Sequence, residues 1–202
     1  MKIRKPAEDR KAEIVQTALA LAFEAGPERV TTGMIAGHLG LTQPAIYKHF
    51  PRKDDIWQSA ASILSTQIVE NVMRARDPIK TPIDRLRMLV LGHLQLVIMT
   101  PALPEFVVAR DLNGMQNAVR NEVRSSMTKF FNELSAIIEE AQNDGSLRAD
   151  SDAMDLTALV FGVIQSLVLR MLVTRDPSIL QKDGERLFDL QMSALAQTGD
   201  GQ

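Results

Sequence analysis

Cysteine is absent from the 202 residues, which excludes a disulfide framework, a thiolate metal site and a cysteine nucleophile, and suits a reducing compartment. Aromatic residues are scarce, with one Trp, one Tyr and seven Phe. Leu, Val, Ile, Ala and Met therefore supply most of the 45% hydrophobic fraction, a composition that favours helices over strands. No unbroken apolar run reaches the length of a membrane span, since even "MLVLGHLQLVIM" is interrupted by Gly92, His93 and Gln95. The basic start "MKIRK" is not followed by the continuous apolar region of a secretory leader. Neither a span nor export is expected, and the protein is read as cytoplasmic.

Signs of catalysis are missing as well. Three scattered His, no G-x-S-x-G, no HExxH and no glycine-rich phosphate loop leave no recognisable catalytic set. Glu139 and Glu140 are adjacent, but neighbours on a helix diverge around its axis and read as a solvated face. An enzyme is not expected, nor is a metal or cofactor.

What is present is an uneven charge distribution. Residues 1–53 hold nine Lys/Arg against five Asp/Glu, a balance of +4, while the remaining 149 residues carry −6. A basic first third on an acidic remainder points to a polyanion partner for the first part.

The apolar pattern is helical throughout, with no alternation of period two and no internal repeat. A first helix over 8–25 carries Ile14, Ala18, Leu21, Ala22 and Ala25 and stops at Gly26-Pro27. Thr31 or Thr32 can cap a short second helix that Gly40 ends, and Thr42 caps a third, with Pro44 in the first turn and Pro51 at the end. A longer fourth helix spans 53–74. Further stripes follow at 83–99, 103–112, 116–142, 152–174 and 184–197. The expected fold is all-α with about nine helices. It divides into residues 1–52 and a larger domain over 53–202, with the fourth helix as connector.

Two short helices joined across Gly40 make a helix-turn-helix, whose second member enters the major groove of DNA. Ile35, Leu39, Leu41 and Ile46 fit as inward positions and Ala36 as the small residue where the helices cross, leaving Gln43, Ala45, Lys48 and His49 outward. The order "TTGMIAGHLGLTQPAIYKHFPRKDDIW" resembles the DNA-binding segment of the TetR family of bacterial transcriptional regulators, over residues 10–60. Beyond residue 75 the likeness is only in helix number and length.

The resemblance implies phosphate contacts from Thr32, Thr42, Tyr47, His49 and Lys53, and base-edge contacts from Gln43, Pro44, Ala45 and Lys48. Physical chemistry agrees at several of these. A lysine in the first turn of a helix opposes the macrodipole, so Lys53 makes better sense facing a phosphate. Gln43 can bond adenine bidentately, whereas Pro44 and Ala45 offer only apolar contact. Two departures stand out. Arg52 occupies the slot of a small capping residue, and Gly33 and Gly37 both lie in the second helix, either for close approach to a phosphate or as sites that order only on DNA.

About 125 residues follow the reader, enough for a second core and a cavity. Leu156, Leu159, Val163, with Gly162 and Ser166 beside them, form a broad face on the eighth helix. With Leu187, Phe188, Met192 and Leu195 of the ninth they would build a four-helix bundle across a two-fold axis, a homodimer that the resemblance also implies. Candidate ligand contacts are His93, Phe106, Arg110, Phe130, Phe161 and Gln165, with Met115, Phe131 and Arg170 similar. A lone His on an apolar stripe is more often a core residue than a ligand contact, and the same holds for the others. The function read from the sequence is a repressor that leaves a palindromic, double-stranded operator when a small molecule of unstated chemistry binds the C-terminal domain. The alternative is a DNA-binding regulator without an effector.

Overall fold

The computed structural model describes residues 6–108 and 117–197. Helix α1 (Ala7–Ala25) starts after Pro6, carries Glu8 and Asp9 in its first turn, where the macrodipole favours anions, and ends at Gly26 with φ 90°. Helices α2 (Thr32–His38), α3 (Gln43–Tyr47), α4 (Lys53–Ala75), α5 (Pro82–Met99), α6 (Leu103–Val108), α7 (Asn117–Asn143), α8 (Ala153–Thr174) and α9 (Ser178–Leu195) follow. All nine coincide with the expected stripes, although residues 109–112 of the sixth stripe lie outside the described residues. The largest discrepancy is α9, which begins at Ser178 rather than 184. Its buried stripe runs Leu180, Gly184, Phe188, and the middle member has no side chain to show in a hydrophobic pattern. A Cβ at Gly184 would lie 2.7 Å from Leu94 Cδ1, so the glycine leaves room for the Leu94 side chain of α5 against α9.

The chain divides into two compact units, Met1–Ser65 with Thr100–Ser125, and Thr66–Met99 with Ser126–Gln202. The first buries Ile14, Ala18, Ala22, Ile35, Ile46, Phe50 and Ile56, with Trp57 packed edge-on against Phe106 at 5.7 Å. In the second, α8 packs on α9 and α9 on α5, around Leu86, Leu89, Leu134, Ile164, Leu167 and Phe188. Charged groups reinforce this second unit. Glu133, nearly buried, receives Arg76 at 2.6 Å and Arg85 at 3.8 Å, while Arg85 also pairs with Glu140 and donates from Nε to the carbonyl of Ala75 at 2.8 Å. Glu140 is thus engaged as a structural ion, apart from Glu139. Arg87 lies over the Phe188 ring at 5.1 Å and pairs with Glu185 and Asp189 on the same helix, tying α5 to α9.

Helix α8 qualifies the expectation about membranes, because it is long and apolar enough to cross one by length and composition. In the structure Leu156, Thr157, Val160, Ile164, Leu167 and Met171 are buried against the chain itself. The opposite face is open to solvent at Leu159, Leu169 (62% exposed) and Val173 (76% exposed).

Candidate nucleic-acid interface

The second helix begins where Thr31 Oγ1 accepts the N–H of Met34 at 3.1 Å, so Thr31 rather than Thr32 is the cap. It ends as Gly40 turns to φ 64° and the N–H of Leu41 reaches back to the carbonyl of Ala36 at 2.8 Å. Thr42 occupies the cap position of α3, without a side-chain hydrogen bond, while its carbonyl accepts from the N–H of Ala45 at 2.9 Å. Ile35, Ala36 and Ile46 are buried where the two helices meet, and Leu39 and Leu41 are half-buried. Gln43, Pro44 and Lys48 are exposed, Ala45 and His49 half-buried, and Tyr47 is 42% exposed. Phe50 closes the turn as a core residue.

Thr32 is the exception among the expected phosphate contacts. It is 4% exposed, and its hydroxyl accepts from Gln43 Nε2 at 2.8 Å and donates to Tyr47 Oη at 3.2 Å. Neither glycine of α2 is required by packing within the chain. A Cβ at Gly37 would meet nothing within 4 Å, and one at Gly33 only Thr31 Oγ1 at 3.7 Å.

The start of α4 shows why Arg52 is tolerated in the capping slot. The Asp55 carboxylate accepts the backbone N–H of Arg52 at 2.9 Å, half of a capping box, and Asp54 holds the Arg52 guanidinium at 3.0 Å. Sequence reasoning missed Asp55, whose signal was an acidic residue three places after the slot. Among the described residues Lys48 and Lys53 have no carboxylate within ion-pair distance, so both charges are available to an anion.

In the second unit His93 stacks on Phe130 with ring centroids 4.5 Å apart, Phe130 lies 6.3 Å from Phe161, and Phe161 meets Phe131 edge-on at 5.7 Å. His93 is 4% exposed and its Nδ1 has no hydrogen-bond partner. Three of the candidate ligand residues, His93, Phe130 and Phe161, are thus brought together, with Phe131 added. Phe106 instead fills the first unit against Trp57, Gln165 is exposed, Arg170 pairs with Asp183 at 3.1 Å, and Arg110 and Met115 lie outside the described residues. Burial pushes the His93 imidazole down to about 4 from 6.5. The unfolded chain therefore takes up the proton first. The stability associated with the neutral ring is intact above pH 6.5 and falls as pH drops to about 4, a loss of about 3 kcal/mol. Urea unfolding at pH 7 and pH 4 should show that loss in the wild type and a smaller one in His93→Leu. Equal losses would contradict this account of His93.

Of the expected dimer residues, Leu159 and Ser166 are exposed, and Gly162, Val163, Leu187 and Met192 are half-buried. Leu156, Phe188 and Leu195 are already buried by their own chain, Phe188 beneath Arg87, and belong to its core. The open face instead extends through Leu169, Val173 and Leu190. The spacing Leu159, Gly162, Ser166, Leu169, Val173 alternates three and four residues, a signal legible in the sequence.

Residues 14–60, which contain this helix-turn-helix, match the model for "Bacterial regulatory proteins, tetR family", and residues 104–183 match that for "Tetracyclin repressor-like, C-terminal domain". The chain belongs to the TetR family. This TetR-family chain is accordingly a DNA-binding transcriptional regulator. A curated relative, the nucleoid occlusion factor SlmA of Photobacterium profundum, is 24% identical over 80% of this chain and 83% of its own length. The ketosteroid transcriptional regulator KstR2 of Mycobacterium tuberculosis shares the fold with a TM-score of 0.77 at 15% identity, covering 94% of this chain and 96% of that one. FadR of Bacillus subtilis, solved in complex with stearoyl-CoA, shares it with a TM-score of 0.64 at 20% identity, over 91% and 98% of the two chains.

Proposed function

We propose that this regulator is a cytoplasmic homodimeric repressor that binds a palindromic operator and leaves it when a small molecule enters the second unit. The observation that carries the effector is His93, a neutral buried imidazole with an unpartnered Nδ1 among Phe130, Phe161 and Phe131. A polar atom in such a place lacks a partner that an apolar ligand bearing a single polar group would supply. Dimerisation is supported by the open apolar face of α8 and by Leu190 of α9. Phosphate contacts are assigned to Thr42, Tyr47, His49 and Lys53, and base contacts to Gln43, Pro44, Ala45 and Lys48.

Release requires that the effector prefer a conformation whose two recognition helices no longer match successive major-groove faces about 34 to 36 Å apart. The coupling is reciprocal, so operator DNA should weaken effector binding by the same factor, typically about 5- to 150-fold. Stearoyl-CoA, the ligand of one structural neighbour, and a panel of neutral apolar compounds should be screened by thermal shift. Calorimetry of each hit with and without operator then decides. Equal affinities in both states would leave a DNA-binding regulator without an effector.

A further inference from the structure

The hydroxyl of Thr32 is used twice, accepting from Gln43 Nε2 at 2.8 Å and donating to Tyr47 Oη at 3.2 Å. A hydroxyl has a single proton, so once Thr32 donates it to Tyr47 the only bond left to it with Gln43 is one it accepts. When Thr32 donates to Tyr47, the phenolic proton is left for another acceptor, and the Thr32 oxygen must accept an amide proton from Gln43. Gln43 then has Oε1 and its second N–H remaining. When Tyr47 instead donates to Thr32, the Thr32 proton is released and can go to Oε1 of Gln43 with the carboxamide turned over, so the polarity of Gln43 is no longer fixed. An ionised phosphate only accepts hydrogen bonds, so a phosphate at Tyr47 selects the first direction.

We propose that Thr32 is a positioning residue for base readout, whose buried hydroxyl, held by Tyr47, fixes the polarity of the Gln43 carboxamide. The polarity it fixes suits adenine, which presents an acceptor at N7 and a donor at N6, and disfavours guanine, which presents acceptors at both N7 and O6. It also removes rotamer freedom that an exposed glutamine would otherwise lose on binding. This proposal rests on Gln43 reading a base, and it couples that reading to a backbone contact one helical turn away.

The test is selection of sites from random duplex DNA by the full chain, as wild type, Gln43→Ala, Thr32→Val, Thr32→Ser and Tyr47→Phe, followed by affinity against salt for the best site and its A-to-G variants. Gln43→Ala identifies the base pair that Gln43 reads, as the position whose preference disappears. At that pair Thr32→Val should lower the adenine preference about five-fold or more, with the salt slope kept, and Thr32→Ser should behave as wild type. Tyr47→Phe, exposed and without a role in the core, should lose the same preference because Thr32 is then free to donate to Gln43. It carries the test alone if Thr32→Val does not fold. An unchanged preference in Tyr47→Phe, or in a folded Thr32→Val, overturns the positioning role. So does a uniform loss of affinity with the base preference kept in Thr32→Val, which would make Thr32 itself a neutral phosphate contact. If Gln43→Ala alters no position, the base reading fails first and the positioning role with it.

Discussion

In a Gly162→Glu variant, helical content and unfolding of the protomer should be preserved while the sedimenting species falls from dimer to monomer and affinity for a palindromic duplex drops about 10²- to 10⁴-fold. The expectation comes from an asymmetry at one position of α8. Within its own chain a Cβ at Gly162 would meet nothing within 4 Å, and replacing a helical glycine relieves a propensity cost of roughly 1 kcal/mol. Across the proposed two-fold axis the same position sits between Leu159, Ser166 and Leu169, where a carboxylate would be buried without a partner. Two linked readers gain from each other's binding, and separating them removes that gain without touching a single DNA contact. Gly184→Ala is a contrasting control: its Cβ would stand 2.7 Å from Leu94 Cδ1 inside the protomer, so any effect should appear in protomer stability while the dimer is kept. A Gly162→Glu protein that still sediments as a dimer would reject the α8 face as the interface.

The second large effect is on salt. If Lys53 of each protomer neutralises one phosphate, about two counterions are released, the slope of log affinity against log salt is about −1.8, and raising salt from about 50 to about 200 mM costs about 12-fold. Arg52 is left out of that count because Asp54 holds its guanidinium. Tyr47 and Thr42 position the backbone as neutral donors and do not add to the slope. Lys53→Ala should flatten the slope by about one unit per protomer and lower affinity for all sequences alike. A titration without salt dependence would contradict phosphate recognition by this surface.

The helix-turn-helix was legible because its punctuation is local. Gly26, Gly40 and Pro51 end elements by backbone constraint, and Ile35 and Ile46 are spaced as inward residues must be. Hidden features depend on what a pattern cannot show. Gly184 sits in a buried stripe without contributing to it, so the start of α9 was set too late. Asp55 caps α4 from three residues inside the helix, which makes the unusual Arg52 unremarkable. Thr32 follows a threonine that could equally have been the cap, and only the fold shows that Thr31 caps while Thr32 turns inward to Gln43 and Tyr47. The grouping of α6 and the start of α7 with the N-terminal helices is a long-range pairing that no local signal encodes.

The open face of α8 has one more consequence, in mass action. Leu159, Leu169 and Val173, with Leu190 beside them, leave a newly folded protomer adhesive until a second copy covers them. Folding and assembly are then linked equilibria, and the melting temperature rises with protein concentration. A regulator held at a few copies per cell would sit closer to dissociation than the same chain in a concentrated sample. Its own abundance would therefore help set how much operator-competent protein exists.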